Sequence, residues 1–309
     1  MSRVSIVMST YNGEKFVGEQ ITSILASSYQ DIDLYIHDDC SSDTTMDILK
    51  IYAEKYPEQI HVYQNDVNMG YTLNFLQGLC NTTADYIMFC DQDDVWKPNK
   101  IADTLKRLQL MEAQLGKDKP IAVFTDAVVV DVQLQELRPS FFKAGKLDPK
   151  KTDLPHILME NKLIGCTVMI NAALRKILKS RKLPNRARYH DWWIALIAAA
   201  CGKIGFLPEQ TLLYRQHGSN VVGNRNFLSY IKNRLTSPKR QKEAILALVN
   251  QAEEFLNLYR DMLSEDSYRK LQRFAELKHM GYLKRRVILL KYGYLKTGII
   301  RNIGLLFIA

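Results

Sequence analysis

Between residues 4 and 130 the chain alternates short apolar runs with amphipathic stretches, and four of the apolar runs end in the same polar residue types. "VSIVMS" leads into "TYNGE", "IDLYIHDD" into "CSSD", "IHVYQND" into "VNMG" and "DYIMFC" into "DQDD"; a fifth run, "IAVFTDAVVV", follows. Apolar runs of this length, bounded by polar residues, read as buried strands. The stretches between them carry helical spacing. Phe16, Gln20, Ile21, Ile24 and Leu25 fall on or near one face, Ser42 or Asp43 can cap a second helix, and a third is expected from about Thr72 to Leu79. Pro98 stands where the first turn of a fourth helix would tolerate it. Strands alternating with helices predict an α/β fold whose mostly parallel sheet is covered on both faces.

In such a sheet, ligands bind outside the carboxyl ends of the strands, where the strand order reverses. A solvated acidic loop would explain one polar strand end, but here four successive strands deliver Asn, Asp and Gly to one edge. No GxGxxG or GxxxxGK[ST] follows the first strand, so neither a dinucleotide fingerprint nor a phosphate-cradling loop is expected. Carboxylates repel phosphate and can hold it only through a bridging hard cation with a preference for oxygen. Asp91, Asp93 and Asp94, three acids in four positions, therefore predict a Mn²⁺ or Mg²⁺ site carrying the diphosphate of a nucleotide.

The 309 residues are 47% hydrophobic and 24% charged, which excludes disordered and fibrous classes. The start is β-like, without the charged-then-apolar pattern of a signal peptide, and no run reaches the ~18 apolar residues that span a bilayer. Five cysteines without paired spacing fit reduced thiols, so a cytoplasmic protein is expected. Residues 225 to 309 hold 17 Lys and Arg against 7 Asp and Glu, whereas residues 1 to 224 hold 25 against 26. This asymmetry predicts a catalytic unit over 1–224 and a basic helical extension over 225–309.

Residues 135 to 162 read as a long, polar, proline-punctuated connector, the kind of loop that forms a lid or an acceptor surface. "LIGCTVMIN" returns to a strand and "NAALRKIL" to a helix. "RYHDWWIALIAAACG" then starts an apolar helix with His190, Asp191, Trp192 and Trp193 at its amino end. Position alone favours Asp191 as a helix cap, while a general base is the functional alternative. "LLYRQHG" ends another strand in Arg215, Gln216 and His217. A lone histidine is usually packed or solvated, but beside an inferred cation His217 is a candidate ligand or diphosphate donor.

The ordered set "STYNG", "HDDCSSDTT", "NMGYTLNF", "CDQDDVW", "YHDWW" and "YRQHGSNVVG" resembles the family 2 glycosyltransferases of the GT-A fold, most closely bacterial rhamnosyltransferases of cell-wall and capsular polysaccharide synthesis. The resemblance spans residues 3 to about 225. It implies that Thr10 and Tyr11 line the base pocket and that Asp39 accepts the imide N–H of thymine or uracil. Asp38 would instead cap the following turn. Asp91 would face the ribose, Asp93 would ligate the metal, Asp94 would stand behind it, and Trp96 would pack. Asn12, Asn68, Gln92 and Arg215 join the donor-binding set, with His217 beside Asp93 at the metal. Asp191 becomes the base, and Trp192 and Trp193 are expected in the core with one edge toward the acceptor sugar. Two positions depart from the pattern: many relatives have Gly at Cys40, and many carry Arg after the Asn-x-Gly motif, where this chain has "YTLNF".

The resemblance implies inverting transfer of a sugar, with dTDP-L-rhamnose as first choice and UDP-sugars such as UDP-glucose or UDP-galactose as the alternative, onto a lipid-linked saccharide. A nucleotidyltransferase would share the nucleotide and metal, but "STYNGEKF" lacks the glycine-rich, Arg- and Lys-bearing loop. A non-catalytic polysaccharide-binding scaffold is disfavoured by intact acids at four strand ends. In the extension, Ile245, Val249, Ala252, Leu256, Tyr259 and Leu263 form a seam expected to pack on protein. The final segment, "YLKRRVILLKYGYLKTGIIRNIGLLFIA", has six basic residues, no acid and interleaved apolar ones. It predicts peripheral binding to an anionic membrane surface on the cytoplasmic side, with homo-oligomer contacts as a further use of these helices. Nucleic acid would also attract this charge, but the catalytic half gives it no role.

Overall fold

The structure, a computed structural model, describes residues 2–217 and 238–308. The boundary expected near residue 225 lies outside the described residues. The first half follows the sequence period: β1 (Val4–Thr10), α1 (Val17–Leu25), β2 (Ile32–Asp38), α2 (Thr45–Lys55), β3 (Ile60–Gln64), α3 (Tyr71–Asn81) and β4 (Tyr86–Cys90). Then come β5 (Val95–Trp96), α4 (Lys100–Leu115), β6 (Ile121–Val130) and β7 (Glu136–Arg138), and after them α5 (Phe141–Gly145), α6 (Leu154–Met159), β8 (Met169–Asn171), α7 (Ala172–Lys179), α8 (His190–Cys201) and β9 (Lys203–Arg215). Pro98 precedes α4 rather than occupying its first turn.

The sheet runs β3-β2-β1-β4-β8-β6-β9-β5, with β7 on β6. β1, β2, β3 and β4 are mutually parallel, as are β6 and β9. Residues 169–171 insert antiparallel between β4 and β6, so the sheet is mixed and mostly parallel, as expected. Every residue of β1, β2 and β4 is buried, which fits strands covered on both faces. Strand order reverses between β1 and β4, and their carboxyl ends open onto one crevice.

The expected connector is not a structureless loop. Ser140 accepts the Lys143 N–H to cap α5, Asp153 accepts the His156 N–H to cap α6, and Phe142, Leu154, Ile157, Leu158 and Met159 are buried. Short helices of this kind carry too few turns for a periodic signal; the capping residues Ser140 and Asp153 are the sequence signal that could have found them.

Beyond residue 238 come α9 (Pro238–Tyr259), α10 (Glu265–Ala275), α11 (Tyr282–Lys291) and α12 (Ile299–Ile308). The expected seam packs on protein: Val249, Ala252 and Tyr259 are buried, and Trp193 of α8 meets Phe255 and Tyr259 at ring-centroid distances of 5.3 and 6.1 Å. The last helix is tied in by a buried ion network. Glu160 accepts from Lys162 and from the Thr297 N–H (2.9 Å), while Arg301 reaches Glu160 at 3.0 Å. Lys162 also donates to Thr297 Oγ1 at 2.5 Å, so the tail holds a residue of the crevice wall. No described helix is long and apolar enough to cross a membrane.

Candidate active site

The crevice at the β1/β4 reversal widens into a cavity of about 740 Å³. Nine of the residues singled out in the sequence line it: Tyr11, Asn12, Asp39, Asn68, Asp91, Gln92, Asp93, Asp191 and His217. Thr10 and Arg215 do not.

The loops after β1, β2 and β4 are stitched to one another. Gln92 Oε1 accepts the Tyr11 N–H at 2.8 Å and its Nε2 donates to the Tyr11 carbonyl at 3.1 Å. This amide fills the space where a side chain on Gly13 would begin; a Cβ there would lie 2.3 Å from Gln92 Oε1. Asn12, at φ 48°, accepts the Ser42 N–H on Oδ1. Cys40 holds φ 67°, the left-handed conformation that explains why glycine suits that turn.

The two acids ending β2 divide their work. Asp38 is turned inward, accepting from Thr10 Oγ1, the Ser41 N–H and Ser41 Oγ, so its role is to fix the turn. Asp39 accepts from Asn65 Nδ2 and the Met69 N–H on Oδ1, and from the Gly70 N–H on Oδ2. A carboxylate has about four acceptor sites, so Asp39 can take one more donor while holding the Asn68–Gly70 loop in place.

The three acids after β4 separate likewise. Asp94 is fully buried, accepts the Arg215 N–H at 3.1 Å, and is pushed well above the ordinary carboxyl range by burial, then by Asp93 and Asp91. Lys100 is equally buried, with its ammonium 4.7 Å from the Trp96 ring centre; burial lowers its pKa to about 8. Asp91 and Asp93 face the cavity. Burial, then the Asp93 and Asp191 carboxylates, push Asp91 up to about 7, and Asp93 Oδ2 lies 2.7 Å from His217 Nε2.

Oxygens of Asp91 and Asp94 and the Cys166 sulfur lie within 4.8 Å of one another. Burial and these carboxylates raise the thiol well above its usual pKa, which makes Cys166 a poor ligand for a hard cation. Crowded carboxylates that hold one another's protons, beside an imidazole, do fit a divalent cation, whose charge would relieve the repulsion.

Arg215 is buried away from the cavity. Its guanidinium pairs with Glu19 and donates to the carbonyls of Asp93 and Val132, both at 2.7 Å, so it braces the acidic loop rather than reaching into the donor pocket. Trp192 and Trp193 are core residues. Trp192 donates to the Ile157 carbonyl at 2.6 Å, and the Phe and Tyr rings lining the cavity are Tyr11, Tyr71, Phe75, Phe141, Tyr189 and Tyr214. Tyr71 stands directly after the Asn-x-Gly motif. Lys162 also lines the cavity and is not among the residues the sequence points to.

Tyr189, not Asp191, is the N-cap of α8, and Asp191 lies in its first turn. Its Oδ1 has no hydrogen-bond partner among the described residues, and burial pushes the carboxyl up to about 7 against the pull of nearby backbone N–H groups at Trp192 and Gly165. A carboxylate with this pKa, with one oxygen lacking a partner among the described residues and lining a cavity, suits proton abstraction near neutrality.

The glycosyl transferase family 2 model matches residues 5–157. A Bacillus subtilis protein named as a teichuronic acid biosynthesis glycosyltransferase, TuaG, is 35% identical over 225 residues, covering 72% of this chain and 82% of its own. The chain belongs to glycosyl transferase family 2. This glycosyltransferase is also 29% identical over 230 residues to the dTDP-rhamnosyl transferase RfbG of Shigella flexneri, covering 70% of this chain and 73% of that one. A mannosyltransferase from Pyrobaculum calidifontis, solved with GDP-Man and Mn²⁺, shares the GT-A architecture at TM-score 0.57 and 16% identity, over 94% of this chain and 73% of its own.

Proposed function

We propose that this glycosyltransferase moves a sugar from a nucleotide-sugar donor with inversion, using Asp191 as general base. The observation that carries this reading is one cavity holding both the Asp191 carboxyl, raised to about 7 and with no partner on Oδ1 among the described residues, and the crowded Asp91 and Asp93 edge. Asp39 Oδ2 accepts the imide N–H of a thymine or uracil ring, beside Tyr11 and Asn12. Asn68 and Gln92 hold the loops that frame the nucleotide, and Asp91 faces its ribose. Asp93 and His217, with Asp91, would hold a Mn²⁺ or Mg²⁺, which supplies positive charge to the departing diphosphate. Asp191 takes the proton of the acceptor hydroxyl as its oxygen attacks the anomeric carbon; the bond to the diphosphate breaks on the opposite face, and no covalent enzyme intermediate forms.

The RfbG likeness supports dTDP-L-rhamnose as donor. The teichuronic acid relative supports a saccharide acceptor of cell-wall or capsular polysaccharide synthesis, carried on lipid and entering past Phe141, Leu147 and Lys162. With dTDP-L-rhamnose and an acceptor extract, dTDP is expected to accumulate in step with transferred sugar. Release of UDP from several UDP-sugars and none from dTDP-L-rhamnose would overturn the donor choice, and pyrophosphate release would indicate attack on phosphorus instead.

We further propose that α11 and α12 seat the enzyme on the inner face of the cell membrane. Each helix buries one side, at Leu289 and Leu305, and exposes the other: Leu283, Val287, Leu290, Ile299, Ile300 and Phe307 are more than half exposed. Lys284 and Lys291 are exposed with them, and no acidic residue occurs from Leu277 to Ala309. An anionic bilayer complements this face, whereas pairing it with a second copy would oppose like charges. Full-length protein should co-sediment with phosphatidylglycerol vesicles at low salt and not with phosphatidylcholine, each basic residue contributing about 1 kcal/mol. A dimer in solution that ignores both vesicle types would assign the face to self-association.

A further inference from the structure

His190, the neighbour of Asp191, is a second polar side chain on the cavity that the reaction as described leaves without a task. It lines the cavity, yet only 5% of it is exposed. Its ring stacks on Phe75 at a centroid distance of 3.9 Å and tilts against Phe89 at 5.4 Å. Against its edge runs the backbone of Gly165, where a Cβ would come within 2.7 Å of Nε2, so the ring's position depends on glycine there. Neither Nδ1 nor Nε2 has a hydrogen-bond partner among the described residues. Burial lowers the pKa to about 3, which leaves the imidazole neutral and gives it one N–H donor and one acceptor nitrogen.

A slot built from Phe75, Phe89 and Gly165 would be better filled, for stability alone, by another apolar ring. Buried polar atoms without partners are costly, and replacing them with apolar groups of the same shape is neutral or stabilising. A histidine kept there at the expense of stability is one whose nitrogens meet a partner during function. We propose that His190 is a specificity-determining residue that hydrogen-bonds a hydroxyl of a saccharide bound in the cavity. A sugar hydroxyl is both donor and acceptor and so can pair with either ring nitrogen, whereas a phosphate oxygen could use only the N–H. The position beside Asp191 puts this contact next to the proposed base, where a fixed hydroxyl orients the sugar for attack. The inference rests on the transferase reading and deepens it: the ligand is a saccharide, from either the donor or the acceptor.

His190→Phe tests it, because the new ring keeps the stack and removes both nitrogens. Its melting temperature should equal or exceed that of wild type, while kcat/KM for sugar transfer falls roughly tenfold to a hundredfold. His190→Asn, which retains a donor and an acceptor, should recover part of that loss. Singly deoxygenated dTDP-L-rhamnose analogues, followed by dTDP release without acceptor, and deoxygenated acceptors, followed by transfer, locate the contact. Loss of one particular hydroxyl should penalise wild type but not His190→Phe, in the donor arm or in the acceptor arm. Unchanged kcat/KM in His190→Phe, a lowered melting temperature, or equal penalties in both enzymes for every hydroxyl would each overturn the proposal. Wild type that releases no nucleoside diphosphate from any donor would instead defeat the transferase reading itself.

Discussion

Asp191→Asn is expected to lower kcat by about 10²- to 10⁴-fold, the usual cost of losing a general base, while leaving nucleotide affinity within a few-fold of wild type. The amide keeps the size of the side chain and cannot accept the proton of an attacking hydroxyl. Because only the ionised carboxylate can act, the wild-type rate should fall as pH drops through about 7, and this acidic limb should be absent from the residual rate of the variant. The same shift fixes the sign for stability. Burial raises Asp191 from the ordinary 3.8 to about 7, so between those values the unfolded chain is ionised while the native site keeps its proton. Stability contributed by this group is therefore lost as pH rises through that window, and above it the buried charge is a net cost. Asparagine removes the cost, so the melting temperature of Asp191→Asn at pH 8 in EDTA should match or exceed wild type. Preserved turnover with a lowered melting temperature would make Asp191 a structural residue of the α8 start.

Asp93→Asn is the second large effect. Removing this carboxylate takes away a proposed cation ligand and the partner of His217 at 2.7 Å. Turnover should fall by about 10²- to 10³-fold or more, comparable to the loss of one preorganised electrostatic contact at a developing charge. Unlike the Asp191 variant, it should also lose the increment in nucleotide affinity that Mn²⁺ confers. The fold should tolerate the change, because Asp93 contributes to the repulsion that raises Asp91 and Asp94. Near wild-type turnover in Asp93→Asn would remove the cation from the mechanism.

The parts of the molecule that were legible in the sequence are those governed by period and by strand ends. β1, β2, β3, β4 and β6 could be read as apolar runs, and the acids after β2 and β4 could be placed at one edge because parallel strands point the same way. The different tasks of Asp38 and Asp39 rest on the family resemblance and not on period; in the structure Asp38 accepts from Thr10 and Ser41, whereas Asp39 accepts from Asn65, Met69 and Gly70. Direction was not legible in residues 169–171, since an apolar run carries no information about which way its partners run. Nor could the sequence show what neutralises Arg215, since Glu19 is 196 residues away, and backbone carbonyls such as those of Asp93 and Val132 leave no sequence signal. Lys100 and Lys162 sit in stretches of surface-like composition, yet the first is buried behind the acids and the second in the cavity wall. His190 was visible only as a histidine beside an aspartate; its unpartnered nitrogens exist only once α3, β4 and the Gly165 turn enclose it.

Calorimetric titration of dTDP and UDP into the full-length protein, with Mn²⁺ and with EDTA, tests most directly whether this cavity holds a nucleotide diphosphate through a carboxylate-bound cation. The account predicts tight binding of at least one nucleotide in Mn²⁺, loss of at least tenfold in affinity in EDTA, the same dependence in Asp191→Asn, and no dependence in Asp93→Asn. Equal affinity in Mn²⁺ and EDTA for wild type, or an Mn²⁺ effect that survives in Asp93→Asn, would contradict it.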